Sequence, residues 1–122
     1  MQVSKRKINK NLESQSFKLL YQVVADIRRP QEAEIILKDL LKSTELKMIA
    51  RRLAIAYWLD KGRSYQDIKN NLTVSSATVS KVAQQIKKKK GFEIALEKIR
   101  ADEWAGRWAK KITKTFKKKK QV

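Results

Sequence analysis

The segment from Tyr65 to Gln84, YQDIKNNLTVSSATVSKVAQ, carries the residues with the most definite chemistry in this chain. Ile68 and Leu72 stand at i, i+4, Val74 follows at a corner, and Val79 and Val82 stand at i, i+3. Such spacing gives two short helices one inward stripe each, with Val74 closing the steep angle between them. The outward positions of the second helix hold Ser and Thr with one Lys. Small donors and acceptors of that kind suit the floor of a DNA major groove, where a bulky apolar side chain would only cost. Two packed helices in an all-α core would use the same apolar spacing. The hydroxyl-rich outer face favours the DNA reading.

Composition removes several other classes. The 122 residues suffice for one domain with tails and a modest core. Cysteine and histidine are both absent, which excludes disulfides, thiolate metal sites, imidazole ligands and a triad built on His. The carboxylates Asp60, Asp67, Asp102 and Glu103 form no recognisable acid–base or metal motif, so an enzyme is not expected. The longest apolar run, LAIAYWL at 53–59, is too short to span a bilayer. The basic N-terminus is not followed by an apolar segment of the secretory kind, and a cytoplasmic protein is expected.

The formal charge is +18, and fifteen of those charges sit in three segments. Residues 1–16 carry Lys5, Arg6, Lys7 and Lys10 against Glu13; Lys87 to Lys90 are consecutive; and Trp104 to Val122 holds eight basic residues and no acidic one. The rest of the chain is nearly balanced. A folded body with cationic arms fits a polyanionic partner, since each neutralised phosphate releases condensed counterions. Anionic membrane surfaces attract the same groups, and solvated lysines need no partner at all.

Few glycines and a single proline leave the chain helical almost throughout. Ser16 is placed to cap a first helix with Phe17, Leu20, Tyr21 and Val24 on one face, ended by Pro30. A second helix, about 31–42, presents Ala33, Ile36, Leu37, Leu40 and Leu41. Thr44 then caps a third, whose apolar face runs Leu46, Ile49, Ala50, Leu53, Ala56 and Tyr57 and which Gly62 ends. The two short helices follow at about 64–72 and 76–89, the second capped by Ser75. Gly91 breaks the pattern, and a last helix starts at Phe92 with Ala95, Leu96 and Ile99 inward. Trp104, Trp108, Ile112 and Phe116 then recur every four residues among lysines. That stripe fits packing against the body or a second subunit, a basic arm along DNA, or an interfacial membrane helix. The expected division is a basic tail at 1–15, a helix-turn-helix domain at 16–103 and a lysine-rich helix or arm at 104–122.

Residues 41 to 86 resemble the Trp repressor superfamily, through LLKSTELKMIARRLAIAYWLDKG, SYQDIKNNL and SSATVSKVAQQI. The family's LKN-x-L core is matched by Ile68, Lys69, Asn70 and Leu72, and its Ala-Thr-Ile-Thr run by Ala77, Thr78, Val79 and Ser80. The likeness is closest to the branch without an intact tryptophan pocket. It implies an all-α, multi-helix bundle with a helix-turn-helix, assembled as an intertwined homodimer that binds double-stranded DNA. It also implies that Ser76, Ala77 and Ser80 face base edges, while Lys69, Thr78 and Lys81 meet phosphates, beside the capping Ser75. Gln66 stands where the family has a base-reading Arg, and it can pair bidentately with adenine. Gln66 and Lys69 equally fit solvated surface positions.

The corepressor site departs from the pattern. Arg52 matches one of the two arginines that sandwich an indole in the tryptophan-sensing members, but Lys81 replaces the other. A compact ammonium lacks the planar face that stacks on a ring. Lys42 stands where a Thr lines the pocket, Val82 where a Gly leaves space, and Gln85 completes the set. Arg52 then reads as an ion-pairing or interface residue, and no cofactor or tryptophan corepressor is expected.

A single short reading helix covers too little area for a specific complex, so two copies related by a twofold axis are expected on a palindromic site. The apolar faces also exceed what a compact monomer hides. The function that follows is a sequence-specific, repressor-like transcriptional regulator. Its alternatives are a small accessory DNA-binding subunit of transposase or replication-initiator type, or a membrane-surface or protein-interaction module using the C-terminal helix. Operator and effector are not legible in the residues.

Overall fold

A computed structural model describes residues 9–120, and of residues 108 and 113–120 the backbone only. The described residues form six helices and no strand: α1 (Lys10–Asp26), α2 (Pro30–Leu40), α3 (Ser43–Asp60), α4 (Tyr65–Leu72), α5 (Ser76–Lys88) and α6 (Lys90–Lys120). The fold is all-α, as expected. Two compact units divide the chain, Met1–Leu46 and Lys47–Val122.

In the first unit α1 begins at Lys10, not after Ser16. Asn9 is its cap, accepting from the Asn11 N–H at 2.9 Å, whereas Ser16 lies inside the helix and donates to the Leu12 carbonyl at 2.8 Å. The polar stretch from Asn9 to Ser16 resembles a tail because Leu12 is its one apolar residue, too little to mark a face. Phe17 and Tyr21 stack one turn apart with ring centroids at 6.1 Å. Pro30 opens α2 at its first position, where its missing N–H costs nothing. Neither helix has a single buried residue. At the start of α3 the Glu45 carboxylate accepts from the Lys42 N–H at 2.8 Å, which is half of a capping box, so Lys42 and not Thr44 holds the cap position.

The second unit holds the core. Ile55 and Ala56 of α3, Ile68 of α4, Val79 and Val82 of α5 and Leu96 of α6 are buried, with Trp58, Leu59, Leu72, Val74, Ile86, Phe92 and Ile99 packed around them. Burial of each large aliphatic side chain contributes roughly 2 kcal/mol. The face of α3 that turns inward therefore centres on Ile55 and Ala56, while Ile49 and Leu53 of the expected stripe stay exposed. LAIAYWL is apolar all round, so periodicity cannot phase it. Gly62, at φ +82°, ends α3 in the left-handed conformation, with the Arg63 N–H reaching back to the Trp58 carbonyl at 3.0 Å. The break before α6 falls at Lys89, in extended conformation, and Gly91 lies within the first turn of α6.

Candidate nucleic-acid interface

The chain enters α4 through Ser64, whose hydroxyl accepts from the Asp67 N–H at 3.1 Å. Asp67 is held from both sides: Arg63 Nη1 donates to its Oδ2 at 3.2 Å and Asn71 Nδ2 to its Oδ1 at 2.7 Å. Its carboxylate also suits the positive end of the helix dipole. Ile68 is 2% exposed and anchors the helix to the core. Thr73 then adopts φ 53°, and the Val74 N–H bonds the Lys69 carbonyl at 3.2 Å, closing the turn. A β-branched residue in the left-handed region is strained, and the turn needs that conformation to cross the two helices.

Ser75 begins the second helix as the spacing predicts. Its Oγ accepts from the Thr78 N–H at 3.1 Å and lies 2.7 Å from the Thr78 hydroxyl. Val79 and Val82 then pin α5 down, at 0% and 3% exposed. With those two inward, Ser76, Ala77, Thr78 and Lys81 are exposed on the outer face, and Ser80 is half-buried. The N–H groups of Ser76 and Ala77 precede the first intrahelical donor, so they add to the pull on an anion. On α4, Gln66 is exposed and Lys69 half-buried. Gln66 Nε2 approaches Asn70 Oδ1 at 3.5 Å, too long to hold the amide firmly.

A cleft of about 390 Å³ opens beside this motif. Arg51, Arg52, Met48 and Ile55 line it from α3, with Thr73 and Val74 of the turn. From α5 come Thr78, Lys81, Val82 and Gln85. Arg52, Lys81, Val82 and Gln85 are thus brought together, and Lys42 is not among the lining residues. Val82 packs into the core and leaves the space beside it open. Arg51, unremarked in the sequence, contributes a third cation. Its adjacency to Arg52 on a helix was the available signal.

Three of the four carboxylates singled out in the sequence, Asp60, Asp67 and Glu103, are engaged by basic partners. Arg100 binds Asp60 through Nε at 3.0 Å and Nη2 at 2.9 Å, and Lys61 binds Glu103 at 3.0 Å. The Arg100 hydrogen bond holds the Asp60 carboxyl below its ordinary value of 3.8, against a smaller opposing effect of burial. These pairs join residues some forty positions apart and could not be read from spacing. Among the described residues no group of three acidic side chains could hold a metal ion, and no helix is long and apolar enough to cross a membrane. On the C-terminal stripe Trp104 and Ile112 are 59% and 50% exposed, while the side chains of Trp108 and Phe116 fall outside the described residues, as do Lys5, Arg6 and Lys7.

The model of the Trp repressor protein family matches residues 15–100. Among solved structures the chain is similar to a TrpR-like protein from Eubacterium eligens ATCC 27750, at 25% identity and a TM-score of 0.65, over 75% of this chain and 95% of that one. No curated protein matches.

Proposed function

Since the chain belongs to the Trp repressor family, a family of helix-turn-helix DNA-binding regulators, we propose that it is a sequence-specific, repressor-like transcriptional regulator acting on duplex DNA as a homodimer. One observation carries this reading. α5 is capped by Ser75 and pinned by Val79 and Val82, and this leaves Ser76, Ala77 and Thr78 outward at its N-terminal end. Recognition helices present their first turns to base edges in that way. Ser76, Ala77 and Ser80 are the base-facing residues and Gln66 a candidate adenine reader, while Lys69, Thr78 and Lys81 take phosphates. Ser80 contributes less than Ser76, being half-buried.

The homodimer is supported by α1 and α2, which have no fully buried residue and leave the large apolar side chains of Phe17, Leu20, Val23, Val24, Ile35 and Leu40 exposed. A twofold axis would set two copies of α5 about 34 Å apart, one turn of the duplex. Basic arms on the phosphate backbone supply sequence-independent affinity. The site of action is the cytoplasm. Tryptophan is not the effector, because Lys81 offers no flat partner to Arg52 across the cleft.

Fluorescence anisotropy with duplex DNA at several salt concentrations tests the proposal. Binding that weakens steeply with salt is expected, and Lys81→Gln, which removes one phosphate contact from each protomer, should lower the slope of the dimer by about two. A flat salt response would remove the phosphate contacts.

A further inference from the structure

α6 leaves the core at a defined point. Phe92, Leu96 and Ile99 pack into the cluster around Val79 and Val82, and beyond Glu103 the described side chains are exposed. The family match stops at residue 100, whereas the helix runs on to Lys120. On that continuation Arg107, Lys110 and Lys111 fall within one side of the helix, and no acidic residue follows Glu103.

Two ion pairs stand at the exit. Asp60 and Lys61 are neighbours at the end of α3, immediately before the left-handed Gly62 that leads into α4. Arg100 and Glu103, one turn apart on α6, receive them in matching order, Arg100 on Asp60 and Lys61 on Glu103. The signs alternate along both helices. Sliding α6 by one turn would set Asp60 against Glu103 or Lys61 against Arg100, so the arrangement specifies register as well as contact. All four side chains keep a quarter or more of their surface in solvent, where such pairs add little to stability.

We infer that Asp60, Lys61, Arg100 and Glu103 are positioning residues that hold the C-terminal half of α6 in one direction relative to α4 and α5, so that its cationic side meets the phosphates of the duplex α5 reads. The inference rests on the DNA-binding function proposed above. A helix already oriented loses little freedom on binding, while a loosely attached one must be ordered each time.

The test uses the full-length chain and anisotropy against duplex DNA over a salt series. Asp60→Asn and Glu103→Gln each remove one negative charge, so charge alone would make both variants bind more tightly. Positioning gives the opposite sign: affinity lower by roughly threefold to tenfold and a shallower salt slope. The exchange of Asp60→Arg with Arg100→Asp restores a pair at unchanged net charge and should recover most of the affinity. Helix content and thermal midpoint, measured in parallel, should move little in the single variants. Arg107→Gln with Lys110→Gln, which leaves the ion pairs intact, should lower the slope by about four for the dimer, two contacts from each protomer. Unchanged or tighter binding by Asp60→Asn would overturn the positioning role and leave DNA reading by α5 standing. A wild-type chain that binds no duplex would remove both.

Discussion

α1 and α2 on one hand, and α4 and α5 on the other, solve the problem of helix stability in opposite ways. The short helices α4 and α5 each have a serine cap, an inward stripe and a share of the buried core. The longer α1 and the proline-started α2 have apolar faces and not one fully buried residue. Helices gain most of their stability from packing an amphipathic face, so the first pair needs a cover that the second pair already has. The difference separates a self-sufficient reading unit from an assembly surface, which the proposed function assigns to a second copy.

The largest expected effect breaks the self-sufficient side. Ile55 is fully buried where α3 meets the helix-turn-helix, and Ile55→Ala should cost about 3–4 kcal/mol in urea unfolding. Leu20→Asp attacks the other side. Leu20 is 42% exposed in the single chain, so a monomer would barely notice the change. A dimer that covers α1 should instead dissociate at least a hundredfold more readily by sedimentation equilibrium, with the helix-turn-helix still folded. Ser75→Ala sharpens the comparison by removing the cap and the Thr78 hydroxyl's partner, for a loss of about 1 kcal/mol in thermal unfolding. Thr73→Gly relieves the left-handed strain and should raise stability by roughly 0.5–1 kcal/mol.

The smallest effect is electrostatic. Asp60 has a folded-state pKa held below its ordinary value, chiefly by the Arg100 hydrogen bond. Its contribution is therefore complete above the unfolded pKa and is lost as pH falls through the lower folded one. The difference in unfolding free energy between wild type and Asp60→Asn, from urea titrations, should shrink as pH drops below about 4, and by well under 1 kcal/mol given the exposure of the pair.

The reading unit was legible because its determinants are local. Ser64 and Ser75 cap within three residues, and Ile68, Val79 and Val82 declare their faces through helical spacing. The start of α1 was hidden because Asn9 caps a first turn whose one apolar residue, Leu12, sets no periodic face. Ile55 was missed for the reverse reason: a run apolar on every side has no phase, and only packing chose which side turned inward. Arg52 and Lys81 line one cleft, while Lys42 holds the cap position of α3, marked only by the Glu45 three residues on. The Asp60–Arg100 and Lys61–Glu103 pairs join segments far apart in the chain, and charge patterning within one helix carries no trace of them.

Selection from a pool of random duplexes, followed by sequencing of the enriched sites, bears most directly on two copies of α5 reading one site. The expected result is a palindrome with half-sites about one helical turn apart, whose preferences shift when Ser76 or Gln66 is replaced by alanine. Failure to enrich any sequence at low salt, or enrichment of sites lacking twofold symmetry, would contradict it.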